Sequence, residues 1–113
     1  MRVKAGVRLL GLKPEVWAII LAATPIWVSY GVPAVTITSA IDGIHKRASE
    51  HYAGLALDLR IHELKGLGVD VAKVARQLQE ALGEDFDVIH ESVGLPNEHL
   101  HCQYNPKAPL GAP

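Results

Sequence analysis

Residues that can bind a metal ion lie in two separate parts of this 113-residue sequence. The first part contains His51 and Asp58, and the second contains His99 and His101. Two imidazoles and one carboxylate, from His51, Asp58 and His101, leave a fourth tetrahedral position open for water. That arrangement is typical of a catalytic zinc site rather than a closed structural one. The residue types therefore allow two interpretations: a catalytic zinc site, or surface histidines with Asp58 paired with Arg60 or Arg47.

Strand periodicity predicts that Asp58 and His101 meet. Residues 54–61 read as a strand whose alternate leucines face the core, so Asp58 points to the opposite face. Residues 98–104 read as a second strand with the same division, and His101 lies on its non-core face. If the two strands are neighbours on a shared core, Asp58 and His101 lie in one groove. Cys102 faces the core in this register, so we do not count it as a ligand.

The remaining pattern predicts the elements that hold these strands. A helix begins at Pro14 and ends before Pro25, and a short second helix follows. A helix over residues 69–82 has Asp70 as its N-cap and ends at Gly83. Further segments are strands at 33–38 and 86–89, a polar loop at 39–52, a turn at 65–68 and a loop at 91–97. This order predicts a single α+β domain over residues 1–113, with helices on one face of a small antiparallel sheet and a flexible tail from about 106 to 113.

Composition excludes several classes of protein. Hydrophobic residues make up 49% of the chain and charged residues 20%, which is typical of a globular domain. A net charge of −1 without a basic stripe argues against nucleic-acid binding. The apolar run at 16–28 is too short, and too early interrupted by Pro25, for a membrane span or a signal peptide. We therefore expect synthesis in the cytoplasm without a signal peptide. The single cysteine is compatible with a reducing compartment.

A family resemblance supports the metal ligands. Residues 49–58, SEHYAGLALD, resemble the S-x-H-x-x-G-x-A-x-D signature of the zinc D,D-peptidases, a superfamily that shares its fold with the hedgehog signalling domain. The late HLH at 99–101 is similar to the H-x-H of that superfamily, whose second histidine completes the metal site. The resemblance covers residues 36–106 and is greatest to small bacteriophage and bacterial members that act on peptidoglycan. It implies the hedgehog/DD-peptidase fold, with His51, Asp58 and His101 as the ligands of Zn²⁺.

The resemblance leaves the catalytic base open. In the superfamily this role belongs to a glutamate three residues before the last ligand or to the first histidine of H-x-H, which here are Glu98 and His99. Strand alternation favours His99, because it shares a face with His101. Glu91 is a third candidate, separated from the histidines by a loop.

The residues that contact the substrate depart from the family pattern. Relatives commonly have an arginine upstream of the first ligand, whereas residues 38–42 of this chain contain none. Lys46 or Arg47 can replace it in binding a substrate carboxylate or the oxyanion. Ser49 is expected to hydrogen-bond a metal ligand, a contact that metal sites generally need.

These observations predict a hydrolase, a zinc metallopeptidase that cuts peptidoglycan stem or cross-bridge peptides as a D-Ala carboxypeptidase or an endopeptidase. We expect a monomer that acts at the bacterial cell wall when released during phage lysis, as a bacteriophage endolysin does. The first alternative is a zinc-stabilised binding domain of the same fold without turnover. The second is a virion or lysis accessory part with a structural metal.

Overall fold

A five-stranded sheet positions the candidate site. The computed structural model describes residues 1–40 and 55–106. In these ranges the sheet has the order β1-β2-β3-β5-β4. Its strands are β1 (Arg2–Val3), β2 (Thr36–Ser39), β3 (Ala56–Arg60), β4 (Phe86–Glu91) and β5 (His99–Tyr104). The chain is therefore an α+β domain, as predicted.

The sheet is mixed rather than antiparallel. β2 pairs antiparallel with β3, and β5 pairs antiparallel with both β3 and β4. β1, which was not predicted, runs parallel to β2. A strand of two residues is too short to show the alternation from which strands are predicted. The sheet prediction was therefore wrong at this edge and right for the strands that carry the site.

In the part of the chain that the structure describes, three helices and the sheet share one hydrophobic core. The helices are α1 (Trp17–Ser29), α2 (His62–Gly66) and α3 (Val71–Leu82), and a single 3₁₀ turn, Pro14–Val16, precedes α1. Buried side chains from all three helices pack with those of the central strands: Ile19, Ala23 and Trp27; Leu64; Val74 and Leu78; Leu57, Leu59, Leu100 and Cys102. The core-facing positions of β3 and β5 are those that alternation predicts. Within the described ranges, no helix is long and apolar enough to cross a membrane.

Helix α1 continues through Pro25, where two separate helices were predicted. Ile19, Ala23 and Trp27 are fully buried at a spacing of four residues, on both sides of the proline. Proline inside a helix costs about 3 kcal/mol, whereas burial of a side chain as large as that of Trp27 contributes a comparable amount, about 3 kcal/mol. Pro25 itself is exposed, so its ring does not disturb this packing. Burial of the stripe therefore outweighs the backbone penalty.

The segment between β3 and β4 holds one confirmed helix and one that was missed. Asp70 caps α3 as predicted, since its Oδ1 accepts a hydrogen bond from the amide of Ala72 at 3.0 Å. Gly83, with φ of +86°, ends that helix as predicted. The predicted turn at 65–68 instead overlaps α2, which has only five residues. So short a helix shows no helical periodicity in its sequence.

Candidate metal centre

Asp58 and His101 lie directly opposite each other on β3 and β5. The Nδ1 atom of His101 is 2.9 Å from Oδ1 of Asp58. Both side chains are largely buried, with 11% of His101 and 16% of Asp58 exposed. Core packing of Leu57, Leu59 and Leu100 fixes this arrangement, because alternation then directs Asp58 and His101 to the opposite face. The predicted meeting of these two residues is confirmed.

Glu91 joins this pair from the third strand. It lies opposite His99 in the β4–β5 ladder, two pairs along from His101 and therefore on the same face of the sheet. One donor atom from each of Asp58, Glu91 and His101 lies within 4.8 Å of the other two. The sequence pattern predicts Glu91 only as a candidate base, not as a ligand. Extending the predicted strand 86–89 to Glu91 would have placed it on the face of His99.

The geometry of this cluster fits a metal ion. In a tetrahedral zinc site with bonds of about 2.0–2.1 Å, two ligand atoms are about 3.3 Å apart. The separation of 2.9 Å between His101 Nδ1 and Asp58 Oδ1 is only slightly shorter, so a small movement admits an ion between them. An imidazole and two carboxylates suit several divalent ions. The cluster can therefore hold a metal, and its donors alone do not select which one.

The second nitrogen of His101 is held by a polar chain. Its Nε2 donates to Oε1 of Gln103 at 2.7 Å, and the Nε2 of Gln103 donates to Oδ2 of Asp87 at 3.3 Å. Asn105 donates to the same Asp87 oxygen at 2.8 Å. Metal-binding histidines usually donate their other N–H to such an acceptor, which fixes the ring. Gln103 therefore orients His101 with Nδ1 toward Asp58.

Both nitrogens of His101 face acceptors, which favours its protonated form in the absence of metal. Burial lowers the pKa of His101, but the hydrogen bonds to Asp58 and Gln103 and the negative charges of Asp58 and Glu91 raise it by more. The net result is a pKa above the ordinary value of 6.5. A metal ion at Nδ1 must displace the proton there, so protons and metal compete for the same atom.

His99 lies beside the cluster, with its two nitrogens in different surroundings. Nδ1 donates to the carbonyl of Asn97 at 2.7 Å. Nε2 is 2.9 Å from Oε1 of Glu91 and 3.6 Å from Oδ2 of Asp58. Because Nδ1 donates to Asn97, Nε2 is the nitrogen of the neutral ring that can accept a hydrogen. Glu91 lies where its oxygen can accept a hydrogen bond from a protonated Nε2, so the two side chains form a contact pair at the edge of the cluster.

Glu98 is held by a different set of contacts. Its side chain is almost fully buried, and its oxygens accept hydrogen bonds from Lys65 at 2.6 Å, from His90 at 2.5 Å and from the amide of Gly94 at 3.1 Å. The hydrogen bond from Lys65 lowers the pKa of Glu98 to about 2, against the opposing effect of burial and with further lowering by His90 and Gly94. A carboxylate with so low a pKa accepts a proton poorly near neutrality.

Four predicted site residues lie outside the described residues, in 41–54: His51 as ligand, Lys46 and Arg47 as substrate contacts, and Ser49. Their assignments stay predictions.

Cys102 is fully buried on the core face, and burial raises the pKa of its thiol, so it stays protonated. The structure agrees with its exclusion from the ligand set.

A cavity of about 340 Å³ opens beside the cluster of Asp58, Glu91 and His101. Asp58 and His99 line it from the cluster side, and Arg60, Ser39 and Lys4 line it farther away. A molecule in this cavity therefore contacts the edge of the cluster formed by Asp58, Glu91 and His101.

Comparisons of the chain with family models, curated proteins and solved structures gave no match. The cluster of Asp58, Glu91 and His101 has to be interpreted from its own geometry and from the sequence motifs.

Proposed function

We propose that this protein is a zinc-dependent peptidase of the D,D-peptidase type, acting on peptidoglycan peptides, with the hedgehog/DD-peptidase fold. The observation that carries the proposal is the contact of His101 Nδ1 with Asp58 Oδ1 at 2.9 Å, with a Glu91 oxygen close by. Asp58 is the last residue of the S-x-H-x-x-G-x-A-x-D segment, and His101 is the second histidine of HLH. The two parts of the motif meet although 43 residues separate them.

In the proposed site, Asp58 and His101 bind zinc together with His51. Zinc bound there would supply a Lewis acid that lowers the pKa of a water molecule and polarises the scissile carbonyl. The geometry around Asp58 supports this role, because its carboxylate faces His101 while the backbone is fixed in the middle of the sheet. Lys46 or Arg47 is proposed to stabilise the negative charge that develops on the carbonyl oxygen.

We assign the base to His99 assisted by Glu91. The Nε2 atom of His99 lies 3.6 Å from an Asp58 oxygen, so it is within reach of a water molecule beside the ligands. This nitrogen acts as the base in the neutral ring, in which Nδ1 holds the hydrogen that is donated to Asn97 and Nε2 holds none. Nε2 takes the proton of the attacking water, donates it in a hydrogen bond to the Glu91 oxygen at 2.9 Å, and later gives it to the leaving amine nitrogen. Glu98 is the weaker candidate, because Lys65 and His90 already hold its carboxylate.

A non-catalytic zinc-stabilised domain is the second candidate. The observation that favours it is the position of Glu91, which is close enough to the cluster to act as a ligand. With His51, Asp58 and His101 it would complete four ligands, and a filled tetrahedron is typical of structural zinc sites. The role of Glu91, base partner or fourth ligand, therefore separates the two candidate functions.

Digestion of purified peptidoglycan tests the proposal. We expect the zinc-loaded protein to release new amino groups, and mass analysis of the products to identify the bond. Asp58→Ala should release none, whereas Glu80→Ala, at an exposed position on α3, should behave as the wild type. The protein could instead bind zinc and release no amine at any pH between about 5 and 9, a range that spans the working pH of a histidine base. That result would support the non-catalytic domain. Lysis of bacteria after the protein is added to the medium would support the proposed role as a phage lysis enzyme.

A further inference from the structure

We propose that Asp87 is a positioning residue of the metal centre, which decides that His101 offers its Nδ1 atom to the ion. This inference rests on the part of the proposed function that places the ion at Asp58 and His101. Asp87 lies on β4 directly opposite Gln103 of β5. Gln103 is two residues from His101, so its side chain is on the same face of the sheet. Its amide lies between Asp87 and His101 and contacts both.

The amide of Gln103 has a donor end and an acceptor end, and Asp87 decides which end faces His101. The Nε2 atom of Gln103 lies 3.3 Å from Oδ2 of Asp87, and its Oε1 lies 2.7 Å from Nε2 of His101. A carboxylate accepts hydrogen bonds and donates none. Turning the amide round would therefore set two acceptor oxygens, one of Gln103 and one of Asp87, against each other. Asp87 thus favours the orientation in which Gln103 accepts the hydrogen of His101.

Burial strengthens this control of the amide. Gln103 is buried and Asp87 is half-buried, so water has little access to the contact between them. Asn105 donates to the same Asp87 oxygen at 2.8 Å, which holds the carboxylate in place. A buried polar atom without a partner is costly, and a hydrogen bond to an ionised group is stronger than one between neutral groups. Protein groups rather than solvent therefore set the orientation of Gln103.

Without Asp87, a second arrangement of the same side chains satisfies their hydrogen bonds. In it the amide of Gln103 is turned round and donates to Nε2 of His101, so the hydrogen of the neutral imidazole is on Nδ1. That hydrogen points at Oδ1 of Asp58, 2.9 Å away, which can accept it. A ring nitrogen that holds a hydrogen cannot bind a metal ion. Asp87 therefore disfavours the arrangement that competes with metal binding at Nδ1.

The hydrogen on Nε2 of His101 provides the first test, on the metal-free protein near neutral pH. Long-range proton–nitrogen correlation spectra of the nitrogen-labelled protein show whether Nε2 holds a hydrogen. We expect this hydrogen in the wild type and its partial or full loss in Asp87→Leu. Asp87→Asn keeps the size of the side chain but can donate or accept, so the signal should weaken there too. Glu84→Leu, which removes the same charge at an exposed position, is the matched control and should keep the signal.

A double-mutant cycle on zinc affinity tests whether Asp87 acts through Gln103. Asp87→Leu should raise the zinc Kd about three- to tenfold, because the turned amide then takes up a share of the molecules. In the Gln103→Leu background the same change should have no further effect, since no amide is left to orient. A direct attraction between Asp87 and the ion would instead persist in that background. An equal loss in both backgrounds, or an unchanged Nε2 signal in both Asp87 variants, would overturn the assignment.

Failure of this inference differs from failure of the proposed function, because the spectra need no substrate and the zinc titration needs no hydrolysis. A protein in which Asp87 and Gln103 are coupled, but which hydrolyses no peptide, retains the positioning role of Asp87 and loses the peptidase assignment. A protein that hydrolyses peptidoglycan peptides, but whose Asp87 and Gln103 variants lose zinc affinity independently, retains the peptidase assignment and loses the role of Asp87.

Discussion

Asp58 on β3 and His101 on β5 face each other across one ladder position, with 2.9 Å between Oδ1 and Nδ1. The pair is buried on the face of the sheet opposite the shared core, and Glu91 brings a second carboxylate to within 4.8 Å. Two acids beside one histidine repel each other unless a positive charge lies between them. The two carboxylates raise the pKa of His101, and a bound metal ion would take the place of the proton that they favour on its ring.

Removal of Asp58 should abolish metal binding. Asp58→Ala is expected to lose bound zinc and the thermal stabilisation that zinc gives, because metal binding and folding are coupled. At a free zinc concentration 100 times the Kd, the wild type should gain about 2.7 kcal/mol of stability and the variant essentially none. Metal analysis and thermal unfolding with and without zinc measure both effects. Glu80→Ala is the matched control, and full zinc occupancy in Asp58→Ala would remove Asp58 from the ligand set.

Substitution of His99 should separate catalysis from metal binding. His99→Ala is expected to keep zinc and to lower kcat about 10²- to 10⁴-fold, the usual contribution of a general base. Glu98→Ala should also keep zinc but retain its activity per folded molecule, because its carboxylate contacts Lys65 and His90 instead. Hydrolysis rates are to be divided by the folded, zinc-bound fraction. If Glu98→Ala is inactive while His99→Ala is active, the base is Glu98.

Loss of the acceptor behind His101 should weaken metal binding without removing a ligand. Gln103→Leu takes away the oxygen that accepts the Nε2 hydrogen at 2.7 Å, so the ring loses its fixed orientation. We expect zinc affinity to fall about 10- to 100-fold, as is usual for such outer contacts. Competition with a zinc indicator measures the Kd. Gln77→Leu removes a similar hydrogen bond, to Tyr30, far from the site and should leave the Kd unchanged; an equal loss in both variants would show that the effect is general destabilisation.

Glu98 should stabilise the fold in a pH-dependent manner. Its pKa is lowered from 4.5 to about 2 in the folded protein, mainly by Lys65. A lowered pKa means that the stabilisation is fully present above the unfolded value near 4.5 and is lost as pH falls toward about 2. Glu98→Gln should therefore be less stable by about 2 kcal/mol at pH 7, the size of a charge-assisted hydrogen bond, with the difference from wild type shrinking between pH 4.5 and 2.

Urea unfolding of both proteins at several pH values measures that difference. Glu80→Gln, at an exposed position, should show no such pH-dependent difference from the wild type. A constant gap between Glu98→Gln and the wild type over the whole range would show that the charge of Glu98 contributes nothing.

Local sequence determined the strand faces and the capped helix. Leu57 and Leu100 are buried and Asp58 and His101 are on the other face because successive side chains of any strand point in opposite directions. Asp70 and Gly83 bound α3 because their side-chain and backbone preferences act within one turn of the helix. These features need no knowledge of distant residues, which is why the pattern alone predicts them.

Only the tertiary structure decided which residues share the site. β5 lies between β3 and β4, so Glu91 comes from one side of His99 and Arg60 from the other. Packing of the stripe that includes Trp27 carried α1 through Pro25, against the local preference of proline. Strand order and packing depend on contacts between residues far apart in the chain, whose free energies no local pattern records. The sequence by itself thus determined that Asp58 and His101 share the face opposite the core, while the order of the strands decided that Glu91, His99 and Arg60 surround them.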